Sequence, residues 1–277
     1  MSTATESRSE PGFPWLIIAS GCLIAALTFG PRSAMGFFQL PMLADTGWSR
    51  ADFGLAMAIQ NLMWGLGQPF FGALADKKGT WRVLVLSAIL YAAGLFLMAT
   101  PQSVWYLHLG GGLLVGLAIA SGSFGIVLAA FARNVTAEQR SFAFGLGTAA
   151  GSAGMFIFAP FSQMLIDALG WSDSLLVMSA MMLIVPILAI PLRGNSDSGT
   201  QKQSDVEQSI GAALREAFGH QSYLLLTAGF FVCGFQVAFI TAHFPAYIGD
   251  IGIDASYAVI AIALIGFFNI IGSLSSG

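Results

Sequence analysis

Charge is what this chain has least of. Asp, Glu, Lys and Arg make up only 9% of its 277 residues, where a soluble globular chain carries about 25%. So few cannot cover a water-facing surface of this size. Soluble enzymes, nucleic-acid binders and disordered scaffolds are thereby excluded. Cysteine is almost as scarce. Cys22 and Cys233 both lie inside apolar runs, which argues against a disulfide framework and against a thiolate metal site. No P-loop pattern occurs, so a nucleotide-driven pump is excluded too. Nothing in the sequence calls for a cofactor or a metal.

What fills the chain is apolar. Hydrophobic residues make up 56% of it, with 23 Phe and 33 Gly, and mean hydropathy is +0.77. A helix crosses a bilayer in about 20 apolar residues, and glycine at this level suits helices packed closely in lipid. The runs predict an all-α membrane protein with eight spans, at 14–43, 51–75, 83–100, 104–131, 141–167, 172–192, 222–248 and 256–276. A membrane barrel would instead alternate over strands of about ten residues. The first run follows a polar tail, 1–13, and is too long for a signal-peptide core of about 7–15 residues, so it reads as an uncleaved span. Trp15, Trp48, Trp81, Trp105 and Trp171 fall at or near span ends, where an interfacial aromatic belt belongs.

The basic residues orient these spans. With the N-terminus cytoplasmic, Arg8, Lys77, Lys78, Arg82, Arg133, Arg140, Arg193, Lys202 and Arg215 fall inside and only Arg50 outside. That asymmetry predicts a multi-pass protein of the plasma (inner) membrane with a cytoplasmic N-terminus. One connection, 193–221, is long and polar. Its first half reads as a flexible linker, and Val206 to Phe218 as a short surface helix.

Arg32 stands inside the first span, where a cation costs about 2.5–3.5 kcal/mol unless it faces a cavity or a partner. Pro31 precedes it and bends the helix. Gly36 and Gln39 follow at i+4 and i+7. A guanidinium there binds a carboxylate bidentately, and the bland alternative is an arginine that snorkels to the interface. Gln236 and His243 lie seven residues apart on span seven. His243 suits a proton relay or an anion contact, and equally a structural histidine near the outer end. Gln60, Trp64 and Gln68 form a stripe on span two with Asn61 beside it, placed to line a path or to bond a neighbouring helix. Small residues around Ser123 in span four serve close packing. Ser123 and His243 do not make an intramembrane serine protease, since no loop supplies an oxyanion hole.

The loop after span two reads Gly72-Ala-Leu-Ala-Asp76-Lys77-Lys78-Gly79-Thr-Trp-Arg82. It resembles the G-x-L-x-D-[RK]-x-G-[RK] signature of the major facilitator superfamily. Phe29-Gly-Pro-Arg32, Gly47-Trp48-Ser49-Arg50, Gly151-Ser-Ala-Gly154 with Pro160, and Gly234-Phe-Gln236 through His243-Phe-Pro245 resemble its monocarboxylate-transporter-like and oxalate/formate-antiporter-like branch. Three things follow from the resemblance. The fold is a helical bundle with about eight spans present of an expected twelve. It divides as 14–192, a six-helix half; 193–221, the central cytoplasmic loop; and 222–277, the first two helices of a second half, in an N-terminal fragment. Gly72, Asp76, Lys77, Gly79 and Arg82 form a conformational latch, in which Gly72 lets helices approach and Gly79 permits a tight turn.

Arg32 matches a functional lysine position of that branch. Asn269 and Ser273 stand where the branch carries an intramembrane Asp and Arg, so lactate-style proton symport does not follow. The implied function is secondary transport of a small organic anion, a mono- or dicarboxylate. Substrate contacts would come from Arg32, Gln39, Asn61, Gln236 and His243; a proton is one candidate for the coupling ion, which the sequence leaves open. The alternatives are a proton-coupled carrier of another small metabolite or drug-like compound, and a non-transporting membrane receptor or subunit.

Overall fold

A computed structural model describes residues 13–122, 124–193 and 210–276, all of them in helices or the short turns between, with no strand among them. The first expected span is two helices, α1 (Trp15–Ser33) and α2 (Met35–Thr46). Next come α3 (Arg50–Lys78) and α4 (Thr80–Ala99). The fourth span is a composite rod of α5 (Val104–Tyr106), a π-helix (Leu107–Leu114), α6 (Val115–Ser121) and α7 (Phe124–Asn134). Then follow α8 (Arg140–Leu169), α9 (Trp171–Met182) and α10 (Val185–Leu188), with a 3-10 turn at Ile190–Arg193. The surface helix expected after the linker is α11 (Ile210–Gly219). Two long helices, α12 (Gln221–Asp250) and α13 (Ala255–Ser276), complete the order. The tail through residue 12 and the linker 194–209 lie outside the described residues.

Seven of the eight rods are long and apolar enough to cross a membrane. The exception is α3, 29 residues long, whose Gln60, Asn61 and Gln68 hold its mean hydropathy down. Those polar groups belong to the interior, as Gln60 shows by donating to the Gly111 carbonyl at 2.8 Å.

Local chemistry sets the ends. Ser49 caps α3 in a reciprocal box: the Asp52 N–H donates to the Ser49 hydroxyl at 3.2 Å, and the Ser49 N–H donates to the Asp52 carboxylate at 2.9 Å. The connection from α3 to α4 turns on Gly79, whose φ of 89° suits a residue without a Cβ.

Glycine also sets how closely the rods approach. A Cβ on Gly154 of α8 would collide with the Ala26 backbone of α1, and one on Gly266 of α13 with the Phe156 and Ser152 backbone of α8. In the π-helix, Gly110 backs onto α4 and Gly112 onto α3. Buried side chains form two clusters. One, around Phe38, Phe53, Tyr91, Leu95 and Met98, lies at the Arg50 end. The other, around Ile18, Leu84, Val127 and Phe131, lies at the Asp76 end.

Candidate functional site

The break between α1 and α2 creates the centre of the site. Pro31 has no N–H to donate, and the Ala34 N–H reaches back only to the Pro31 carbonyl, 3.2 Å away. Gly36 stays on the side of Arg32, since both meet Thr241 and Ala242 of α12, while Gln39 does not line the cavity. Arg32, in the last turn of α1, also turns to α3. Its Nη2 donates to Asn61 Oδ1 at 2.6 Å, and its guanidinium carbon lies 4.5 Å from the Trp64 indole centroid. Asn61 is held in turn by donating to the Met57 carbonyl at 2.8 Å. Two donors are left over: Arg32 Nε and Trp64 Nε1 are buried without a hydrogen-bond partner. Among the described residues no carboxylate pairs with Arg32; the ion pairs there are Arg50–Asp250 and Arg133–Asp76. A half-buried cation held by an amide and a ring keeps an unmet preference for an anion.

A cavity of about 820 Å³ leads away from this centre, from Phe29, Trp64, Gly151 and Ser152 to Gly72, Asp76, Thr80 and Arg133. A smaller one of about 230 Å³ shares Phe29, Trp64, Gly151 and Ser152 with it and adds Arg32 and Ser33. Arg32 therefore stands at the inner end of one continuous set of walls. Phe29, Phe124, Ile126 and Phe230 make those walls largely apolar.

The opposite end is shut. Arg50 at the start of α3 grips Asp250 at the end of α12 with both guanidinium nitrogens, the second at 2.5 Å. Gly36 of α2 backs onto the carbonyls of Thr241 and Ala242 of α12. Between Arg32 and that contact lies a void of about 10 Å³, lined by Met57, Asn61 and Thr241 among others. The site is open to the Asp76 side and closed to the Arg50 side.

At the open mouth, Asp76 lies 3.8 Å from Arg133 of α7, and Arg133 also donates to the Thr80 hydroxyl. The cationic partner of Asp76 is thus a residue 57 positions away. Gly79 makes the expected turn. Gly72 differs from expectation: nothing lies within 4 Å of where its Cβ would stand, and the close approach on α3 belongs to Gly67 against Ala120. Lys77 and Arg82 flank the turn, exposed.

The structure brings Arg32 and Asn61 together and sets the remaining candidates apart. Gln39 is buried in α2 with its Oε1 unpartnered, away from the residues that line the cavity. Gln236 is exposed, while Gly234, Val237, Ala238 and Thr241 supply the α12 wall near Arg32. His243 packs on Phe239, ring centroids 5.2 Å apart, and toward Gly54 of α3. Of the α3 stripe, Gln60 bonds the neighbouring rod while Trp64 and Gln68 line the cavity. Ser123 lies outside the described residues. Trp64 differs from the other five tryptophans. Its signal was position: it is the one tryptophan of six far from a span end.

A Major Facilitator Superfamily profile matches residues 16–277. Monocarboxylate transporter 13 of Bos taurus is 27% identical over 275 residues, covering 98% of this chain and 63% of that protein. Monocarboxylate transporter 11 of Mus musculus is 27% identical over 289 residues, covering 100% and 61%. An uncharacterised MFS-type transporter of Bacillus subtilis, YcxA, is 22% identical over 274 residues, covering 98% and 66%. The chain spans about three-fifths of the length of the curated relatives it matches. The family and these relatives are transporters rather than enzymes.

Proposed function

The chain belongs to the Major Facilitator Superfamily, and from that premise we propose that it forms the larger part of a secondary carrier for a small organic anion, a mono- or dicarboxylate, working by alternating access. It is a multi-pass integral membrane protein. Residues 14–192 form the first half of the carrier in this reading, 193–221 the central loop, and 222–277 the start of the second half. With the N-terminus cytoplasmic, as the basic residues favour, the cavity opens to the cytoplasm and the Arg50–Asp250 pair shuts the outer side.

One observation carries the anionic substrate: Arg32 is an intramembrane cation without a carboxylate partner among the described residues, its Nε and the neighbouring Trp64 Nε1 both free beside a cavity. A carboxylate there accepts from both donors and neutralises the charge. The apolar walls around it favour an acid with a hydrophobic body. They also support the second reading, a drug-like compound carried by proton antiport. Gly72, Asp76, Lys77, Gly79 and Arg82 act in this proposal as the latch at the cytoplasmic mouth. Gln39, Gln236 and His243 do not line the cavity beside Arg32.

The test is uptake of a panel of carboxylates by Arg32→Gln and Arg32→Lys variants of the protein as expressed from its own gene. Arg32→Gln is expected to weaken carboxylate affinity roughly ten- to hundredfold, the worth of a hydrogen bond to a charged group. Arg32→Lys keeps part of it, since charge remains and the fork is lost. Parent-like affinity in both variants would remove the anion site.

A further inference from the structure

A separate cavity of about 360 Å³ lies beside the turn between α3 and α4, lined by Lys77, Lys78, Gly79, Trp81, Arg82 and Arg193. Four of these six residues are cations and none is acidic. Among the described residues no carboxylate pairs with any of the four. The cluster is nevertheless anchored. The Arg193 guanidinium sits 3.9 Å from the centroid of the Trp81 ring, and Trp81 is fixed by donating its Nε1–H to the Pro186 carbonyl at 3.2 Å. Converging like charges repel one another, and the arrangement is relieved when an anion enters.

We propose that this cavity binds the phosphate of an anionic phospholipid headgroup. Trp81 and Arg82 stand in the first turn of a membrane-crossing helix, the depth at which headgroup phosphates lie. Arginine offers a phosphate its planar fork, and lysine adds point charge. The first turn of α4 has no side-chain cap, so backbone N–H groups add donors at the same place. A soluble phosphate shares this chemistry, and the neighbouring surface decides between the two. Ile187 and Ile190, on the segment between Pro186 and Arg193, are apolar and 66% and 50% exposed, which gives an acyl chain a track beside the headgroup. Basic pockets between membrane helices hold anionic lipid in this way.

Native mass spectrometry of the purified protein, equilibrated with mixed micelles of phosphatidylglycerol and phosphatidylcholine, tests the site. Phosphatidylglycerol should be retained in preference and should survive excess inorganic phosphate. Lys78→Gln with Arg193→Gln should reduce its retention about tenfold or more, while Arg193→Lys keeps most of it. Should the double variant fail to elute as a folded species, Lys78→Gln alone, on an exposed side chain, carries the measurement with a severalfold loss. Equal retention of the two lipids, or undiminished phosphatidylglycerol on the variants, overturns the proposal. Complete displacement by inorganic phosphate makes it a soluble-anion site and overturns it as well.

Discussion

Arg32 and Trp64 come from different helices and form one unit: the guanidinium carbon lies 4.5 Å from the indole centroid, and each residue keeps one buried N–H without a partner. The ring holds the cation in place without neutralising it, which leaves the charge available to a ligand.

Trp64→Phe separates the two roles of that ring. Phenylalanine keeps an aromatic face, though a weaker one for a cation, and loses the N–H. Uptake of a carboxylate should show a KM raised about ten- to hundredfold, the worth of one hydrogen bond to a charged group, with maximal rate less affected. Trp64→Ala should be worse, because Arg32 also loses its platform. A parent-like KM in Trp64→Phe would mean that the indole N–H meets no substrate.

At the other end of the cavity, Asp76→Asn should slow transport while leaving the amount of protein in the membrane unchanged. The Asp76–Arg133 pair is 3.8 Å long, with side chains 74% and 44% exposed. Such pairs contribute about 0–1 kcal/mol to stability. A loss of transport without loss of fold therefore reports on conformational change. Unchanged uptake in membranes would take Asp76 out of the latch.

How much of this could be read from the sequence follows from the range of each interaction. Apolar runs and Gly79 act within their own segment, so the eight rods and the turn between α3 and α4 were legible. Arg32 announced itself by its cost in lipid. Its partners did not, because Asn61 and Trp64 reach it from another helix, α3. The partner of Asp76 is Arg133, and the partner of Arg50 is Asp250, 200 positions away. Pairing of helices decides such contacts, and no local pattern encodes them. The π-helix at Leu107–Leu114 was invisible for the same reason: His108 and the three glycines after it fit an ordinary helix until α3 and α4 press against them.

Two glycines with opposite surroundings make a stability test. A Cβ on Gly154 would strike the Ala26 backbone, which cannot swing aside, whereas one on Gly72 meets nothing within 4 Å. Gly154→Ala should cost about 1–3 kcal/mol. Gly72→Ala should be neutral or slightly stabilising, since alanine lowers the entropy of the unfolded helix. Thermal unfolding in detergent compares them. Equal melting points would contradict the packing of α1 on α8.

Orientation is checked by labelling with an impermeant thiol reagent in intact cells, in a background with Cys22 and Cys233 replaced by serine. Ser103 follows α4 and Lys78 precedes it, so the two flank one membrane-crossing helix, and both are exposed. Ser103→Cys should label and Lys78→Cys should not. The reverse result would invert the topology that the basic residues favour.

The pair at the closed end gives the strongest test of alternating access. Arg50 and Asp250 join α3 to α12, and their side chains remain 53% and 38% exposed. A surface pair of this kind adds little to folding stability, and its geometry is two-pronged, which favours one relative position of the two helices. Breaking it should release the contact of Gly36 with α12 and admit water from that side. Asp250→Arg, which sets two cations face to face, should raise the population open at the Arg50 end. Ala242→Cys serves as the reporter, because Ala242 is buried at 9% exposure where Gly36 backs onto it. In the same background without Cys22 and Cys233, its reaction with an impermeant thiol reagent should quicken severalfold or more when Asp250→Arg is added. The exchanged pair, Arg50→Asp with Asp250→Arg, restores opposite charges and should return the rate toward the parent. High salt, which screens exposed charges within about 10 Å, should speed the parent and change Asp250→Arg less. If the exchanged pair stays as reactive as the single variant, the charges do not hold this end shut, and closure rests on packing such as that of Gly36 against α12.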